Sequence, residues 1–375
     1  MVLWVALAGA YPFTISHGYT SCAQCHVDPS GGGALSPYGR GQAEIFMRSV
    51  YRKRPPDWEP KDNAEFAFGL ALPKALTLQA DVRGLLIPQP GNVRAILMQA
   101  DVRGQVQTGK LRAYGSLGVA SEGGYSARVS SNAEGWNLLS REYWLGLDVS
   151  KGLLLRAGRM ALPFGIRSEE HLLFARAATR TDTNDDQQVG LDAVYGRKKF
   201  RSEVMGIAGN FQVSPDEYRE RGYSAVASYA LDNNFEVGVS SLATFAQLDV
   251  ALLDERLRQA HGAFARYSPV ERIGVFAEGN VLADVVGEGE LSVGSVGYLQ
   301  VDTEPAQGLH VRATGEWCDD NHGDELDAVL RGSGAVVWFF LPHLDVRADV
   351  MYGTLYCTPG TEPSPLALVQ MHGYL

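Results

Sequence analysis

From about residue 75 onward the chain alternates apolar and polar residues, in segments of roughly ten. No other feature restricts its fold as strongly. Between Leu76 and Gly84 the even positions are apolar or small, while Thr77, Gln79, Asp81 and Arg83 take odd ones. His310, Arg312, Thr314 and Glu316 share one face of a later segment, and Asp345, Arg347 and Asp349 share one face of another. Ile273, Val275, Ala277 and Gly279 lie opposite Arg272, Glu278 and Asn280. A period of two means β-strands, whose successive side chains point to opposite faces. A soluble sandwich also alternates, but its inward faces need large side chains, and these apolar faces are rich in Gly and Ala. A transmembrane barrel inverts the arrangement, with apolar residues toward lipid and polar ones toward a wet lumen. The fold class expected is therefore all-β, an antiparallel up-and-down transmembrane barrel.

Connection lengths support this expectation independently. Tight links near Gly109, Gly152, Lys198, Asn233 and Pro342 alternate with long ones at roughly 121–140, 162–186, 209–220, 245–259, 283–290, 318–327 and 354–365. Short periplasmic turns and long outer loops are the asymmetry of outer-membrane barrels. Counting from Leu76 to Leu375 gives about sixteen strands, with both ends periplasmic. Residues 64–72 also read as a strand, which leaves eighteen open, and the barrel region is set at 63–375. In the last segment Ala367, Val369, Met371, Gly373 and Leu375 share a face, as in the terminal strand of such barrels. Tyr143-Trp144, Trp317, Trp338-Phe339-Phe340 and Tyr352 suit interfacial girdles.

Residues 11–62 differ in character: rich in Gly, Pro, Arg and aromatics, with little alternation. They contain Cys22-Ala23-Gln24-Cys25-His26, the spacing of covalent haem attachment. Each thiol adds across a haem vinyl group, and the adjacent imidazole becomes the proximal iron ligand. A zinc site would want further Cys or His at finger-like spacing, and a thioredoxin-like dithiol would sit in a βαβ unit. Neither surrounds this stretch. One haem c is expected, with Cys22 and Cys25 as thioethers and His26 on the iron. The sixth ligand is open between His17 and Met47, with a lumen histidine such as His310 also able to serve. Pro29 and Gly31-Gly32-Gly33 let the chain approach the macrocycle, and a short helix is expected at about 40–51.

With this haem loop in front of a barrel, the chain resembles porin-like outer-membrane β-barrel proteins of Gram-negative bacteria that bear an N-terminal monohaem c-type cytochrome segment. The resemblance implies electron transfer at the outer membrane, or transport through it. Gly158-Arg159 through Pro163-Phe164-Gly165 also resembles a strand end of phosphate-selective-type porins, though a strand stopping at Pro163 explains the string as well. The first function expected is electron relay with periplasmic or multihaem cytochromes, since one haem is far smaller than a hydrocarbon core of about 25–30 Å. The second is a passive diffusion porin for small hydrophilic solutes whose haem arm acts as plug, gate or redox sensor. A haem enzyme such as a peroxidase would need an acid–base pair beside an open iron site, and no such pair stands out; the chain reads as a carrier or channel. The haem segment is expected at the periplasmic mouth or in the lumen, its cations Arg48, Arg52, Lys53 and Arg54 meeting Asp81, Asp101, Glu278 and Asp345.

Other features narrow the classes further. A net charge of -10 leaves no sustained basic stripe for nucleic acid. Residues 1–10 read as the apolar core of a secretory signal ending in Ala8-Gly9-Ala10, without a basic n-region. No apolar run approaches the ~20 residues of a spanning helix. Asp182, Asp185 and Asp186 lack calcium-loop spacing and read as a solvated loop. Arg167, Arg176 and Arg180 in the same loop would constrict a pore if it folded inward, but an exposed loop is the expectation. Cys318 and Cys357 start loops on one side, where an oxidising location favours a bond between them.

Overall fold

The fold was analysed in a computed structural model that describes residues 11–49, 72–89, 91–120, 137–168, 170, 172–183, 186–323, 328–357 and 360–375. The expected signal segment 1–10, the strand at 64–72 but for its last residue, Arg52, Lys53, Arg54 and Asp185 lie outside these residues.

The strands are β1 (Leu76–Gln89), β2 (Asn92–Thr108), β3 (Leu111–Ala120), β4 (Asn137–Leu139), β5 (Tyr143–Ser150), β6 (Leu153–Met160), β7 (Gln188–Arg197), β8 (Phe200–Gly209) and β9 (Arg221–Ala230). They continue as β10 (Phe235–Ala246), β11 (Arg256–Val270), β12 (Ile273–Val286), β13 (Ser292–Ala306), β14 (Leu309–Asp319), β15 (Val329–Leu341), β16 (Leu344–Gly353) and β17 (Ser364–Tyr374). Apart from β4 and β5, sequence neighbours pair antiparallel, and β1 closes the ring by pairing with β17, Asp81 opposite Tyr374. Short β4 and longer β5 both pair with β3, at opposite ends of it. The result is a closed sixteen-strand barrel with β4 as the extra piece. Both edges of β1 are taken, so no eighteen-strand ring forms.

Burial inverts the soluble pattern. Leu191 and Leu330 are 71% and 73% exposed on the outer face, while Asp81 and Arg83 keep 1% and 2%. Lumen-facing charges are covered from within, and aliphatic side chains form the surface that lipid would cover. The expected turn positions hold, including those after Gln107, Ser150 and Arg197. One expectation fails at the other end: β1 and β2 meet in a tight link, with Gln89 paired to Asn92. Among the described residues no helix is long and apolar enough to cross a membrane. A disulfide joins Cys318 to Cys357, Cα atoms 5.8 Å apart, tying β14 to the segment after β16.

Two segments fill the lumen. The first is residues 11–49, which contains helix α1 (Pro37–Phe46). It begins earlier than the expected 40–51, because Ser36 caps it, accepting from Gly39 N at 3.0 Å, and Pro37 occupies its first turn. The second is the loop 161–187, with helix α2 (Phe174–Thr179), which corrects the exposed-loop expectation. Its backbone amides at Ile166 and Phe174 donate to Glu278 and Glu316 of the wall at 2.7 and 2.8 Å. Arg176 pairs with Glu278, and Arg180 with Asp249 at 2.6 Å and Glu220 at 2.9 Å. Glu170 returns the exchange, bridging Arg312 at 2.7 Å and Arg347 at 2.6 Å. Arg167 bonds Glu203 at 2.9 Å. The Asp182 amide donates to Asp186 at 2.8 Å, so this acidic stretch closes on its own backbone.

Candidate functional site

The Cys22–Cys25 loop is a single tight turn. The amides of Cys25 and His26 both donate to Cys22 O, at 3.1 and 3.0 Å. That turn brings the two thiols and the imidazole onto one short stretch. The chain then doubles back: Val27 N donates to Ala34 O at 2.9 Å, and Ser36 N to Cys25 O at 2.8 Å. Gly33 sits at φ +73° with its Cα against Tyr114, where a Cβ would lie 2.4 Å from the phenol oxygen. Gly39 lets α1 touch the loop, since a Cβ there would come within 2.0 Å of Cys25 O. His26 Nδ1 lies 3.4 Å from Gly33 O, which fixes one ring nitrogen and leaves Nε2 for another partner.

Inside the barrel a small cavity opens against this loop, bounded by Cys22, Cys25 and His26. Its other walls include Tyr19, Leu35, Met47, His372 and Tyr374. Burial pushes the Cys25 thiol up to about 11 and pulls His26 down to about 4, so both stay neutral near pH 7. Neutral thiols are poor ligands for a bare metal ion, which binds thiolate. Among the described residues no group of three or more His, Cys, Asp or Glu is placed to hold a metal ion. The donor set, two cysteines and an adjacent imidazole with Met47 beside them, fits a macrocycle that brings its own equatorial ligands.

The candidate sixth ligands separate in space. Met47 lines the cavity, its sulfur 4.0 Å from the Tyr374 hydroxyl. His17 faces Glu304 instead, Nε2 to Oε2 3.2 Å, and is not among the cavity's walls. His310 is held by Asp302 at 2.8 Å and stacked on Phe13 at 4.0 Å between ring centroids. His372 is a cavity residue that strand parity places in the lumen but that sequence reasoning did not single out. Its Nδ1 lies 3.0 Å from Asp345 and its Nε2 3.4 Å from Asp81.

Residues 11–49 are tied to opposite sides of the lumen. On one side Arg156 donates to Asp28 at 2.7 Å, and Trp144 Nε1 donates to the same oxygen at 3.1 Å. Gln79 accepts from Leu35 N at 2.7 Å, and Arg40 donates to Leu78 O at 2.5 Å. On the other, Ser49 N donates to Phe339 O at 2.7 Å and Gln307 to Ile45 O at 2.6 Å. The lumen carboxylates expected to meet the arm's cations are engaged elsewhere, and of those cations only Arg48 lies among the described residues. Asp81 and Asp101 belong to Arg103, Glu278 to Arg176 and Asp345 to His372. The arm's buried ion pair with β6 is made by its carboxylate, Asp28, and the barrel's arginine. Asp28 went unnoticed because a single acid in a Gly-rich loop carries no sequence signal; only the fold sets Arg156 beside it.

No family model matches the chain, and no curated protein matches it. Solved structures do. Outer-membrane-expressed OmpT of Vibrio cholerae superposes with a TM-score of 0.63 at 10% identity, over 80% of this chain and 98% of that one. The outer-membrane channel DcaP of Acinetobacter baumannii gives 0.54 at 12% identity, over 80% and 97%. An anion-selective porin from Comamonas acidovorans gives 0.56 at 13% identity, over 80% and 99%. At such identities the likeness establishes architecture, and the chain has the porin-like fold of outer-membrane β-barrels.

Proposed function

We propose that residues 11–49 hold one haem c inside the barrel, and that the protein takes part in electron transfer at the outer membrane of a Gram-negative bacterium. The observation that carries this reading is the lumen cavity bounded by Cys22, Cys25 and His26, with Met47 in its wall. When bound, haem supplies a one-electron iron couple. Cys22 and Cys25 tether it, each S–H adding across a vinyl double bond. His26 binds through Nε2 while Gly33 O orients Nδ1. Met47 is the sixth-ligand candidate, because its thioether faces the cavity while both nitrogens of His372 face carboxylates. A Met/His pair raises the reduction potential. The short turns face the periplasm in this reading, so periplasmic cytochromes reach the haem loop.

A passive channel for small hydrophilic solutes is the second reading, favoured by the porin-like fold and the polar lumen. Arm and inward loop both stand in its path, so each limits conduction.

The test is a denaturing gel stained for haem-linked peroxidase activity. Wild-type protein should keep the stain, and Cys22→Ala with Cys25→Ala should lose it. Met47→Ala should keep the stain while lowering the midpoint potential and shifting the visible spectrum toward high-spin iron. A wild-type stain that disappears on denaturation overturns the assignment.

A further inference from the structure

Beside the haem loop, at the short-turn end, lies a second and wider cleft of about 1190 Å³. Ala23 and Gln24 form part of its wall and are exposed at the tip of the Cys22–Cys25 turn. Across from them stand Arg197, Lys198, Lys199 and Arg201 from the turn joining β7 and β8. Lys110 and Lys151 are exposed on the turns that join β2 to β3 and β5 to β6, on the same side of the rim. Farther round, the turns at 231–234 and 270–272 carry Asp232, Glu271 and Arg272, and the cationic character ends. Arg201 Nη1 is buried there with no hydrogen-bond partner among the described residues.

This concentration runs against the chain's net charge of -10. The opposite end of the barrel holds exposed Asp254, Glu255, Glu288, Glu290 and Asp320. Among the described residues the exposed charge is thus positive at the end nearest the haem loop and negative at the opposite end. A patch of like charge at a mouth raises the local concentration of oppositely charged partners and their association rate by about 10–1,000-fold.

We propose that this cleft is the docking face for a small soluble electron-carrier protein whose redox centre is ringed by carboxylates. The inference rests on the haem reading above and adds to it the partner's charge and the side of approach. An acidic ring set against Arg197, Lys198 and Lys199 puts the carrier's redox centre over Ala23 and Gln24, beside the thioether-forming cysteines. Arg112 contributes less, because Asp148 already holds it through bonds of 2.7 and 2.8 Å. Anionic lipid headgroups offer the same charge, but these cations line a cleft shared with the haem loop.

The experiment uses the full-length protein in neutral-lipid nanodiscs, with one acidic and one basic soluble monohaem cytochrome c as probes. Equilibrium binding and stopped-flow electron exchange are read from about 0.01 M to about 0.15 M ionic strength, over which the Debye length falls from about 30 to 8 Å. The acidic probe should bind at low salt and weaken at least tenfold across the range. Arg197→Glu with Lys198→Glu and Lys199→Glu should weaken it at least tenfold more and strengthen the basic probe. Equal binding of the two probes, or no response to the triple variant, overturns the proposal. So does a response that appears only when phosphatidylglycerol is added to the disc, which would assign the patch to lipid. Binding is repeated with Cys22→Ala/Cys25→Ala protein, and haem content is read separately by pyridine haemochrome. Wild-type protein that docks the acidic probe but carries no haem keeps the docking face and refutes the haem reading; wild-type protein that carries haem but does not dock does the reverse.

Discussion

Asp28 is the residue on which the arm's position turns. Both it and Arg156 are fully buried, and Arg156 also serves Asp192 and Glu203, each at 2.8 Å. Burial alone would raise the Asp28 carboxyl, but Arg156 and the Ser30 hydrogen bonds outweigh it and hold the group below its ordinary range. A depressed carboxylate contributes stability that is complete above the unfolded value of about 4 and is lost as pH falls through the lower folded value. Acidification below about pH 4 should therefore release the arm, readable as a change in Trp144 fluorescence as its contact with Asp28 breaks. Asp28→Asn keeps the shape but removes the charge opposite Arg156. It should cost about 1.5–3 kcal/mol, since Arg156 keeps Asp192 and Glu203, and shift that release toward neutral pH. Identical Trp144 fluorescence in wild type and Asp28→Asn at pH 7 would show that Asp28 does not hold the arm. At this scale Cys22, Cys25 and His26 were legible because their spacing lies within five consecutive residues. Asp28, Arg156 and His372 were not, because their meaning depends on partners on other strands or segments, Asp28 on Arg156 and His372 on Asp345 and Asp81.

At the scale of elements, strands were readable and their connections were not. Alternation fixes a strand and its lumen face, as β14 shows with His310, Arg312, Thr314 and Glu316 all turned inward. The loop 161–187 was expected outside because it is charged, yet its charges are what bind it within. Glu170 alone joins Arg312 and Arg347, and Arg176 joins Glu278. Removing the Glu170 charge should loosen the loop by about 1.5–3 kcal/mol, the worth of hydrogen bonds to a charged group. Single-channel recordings of Glu170→Gln should show more frequent opening events than wild type. Identical traces would mean that the loop is held elsewhere or does not limit conduction.

For the whole molecule, the two lumen segments act as stacked barriers, the arm toward the short turns and the inward loop toward the long ones. Deleting residues 11–49 should leave a barrel that still folds, because β1 and β17 close on each other without it. Conductance should rise only modestly while the loop remains, and by at least several-fold when residues 166–183 are also replaced by a short Gly-Ser link. A full-sized rise from removing the arm alone would make the arm the single gate and leave the loop a bystander. Heat-modifiable migration on gels reports whether each variant is a closed barrel.

What the sequence determined by itself was local or periodic: strand identity, lumen faces, the tight turns, the haem-attachment spacing and the barrel class. These follow from neighbours along the chain, where a period of two or five adjacent residues suffices. Only the tertiary structure decided what fills the barrel. Closing the ring faces Arg156, Arg312 and Glu278 across one lumen, and buried charges must be paired. Asp28, Glu170 and Arg176 meet that requirement, and in doing so they draw the arm and the loop inside.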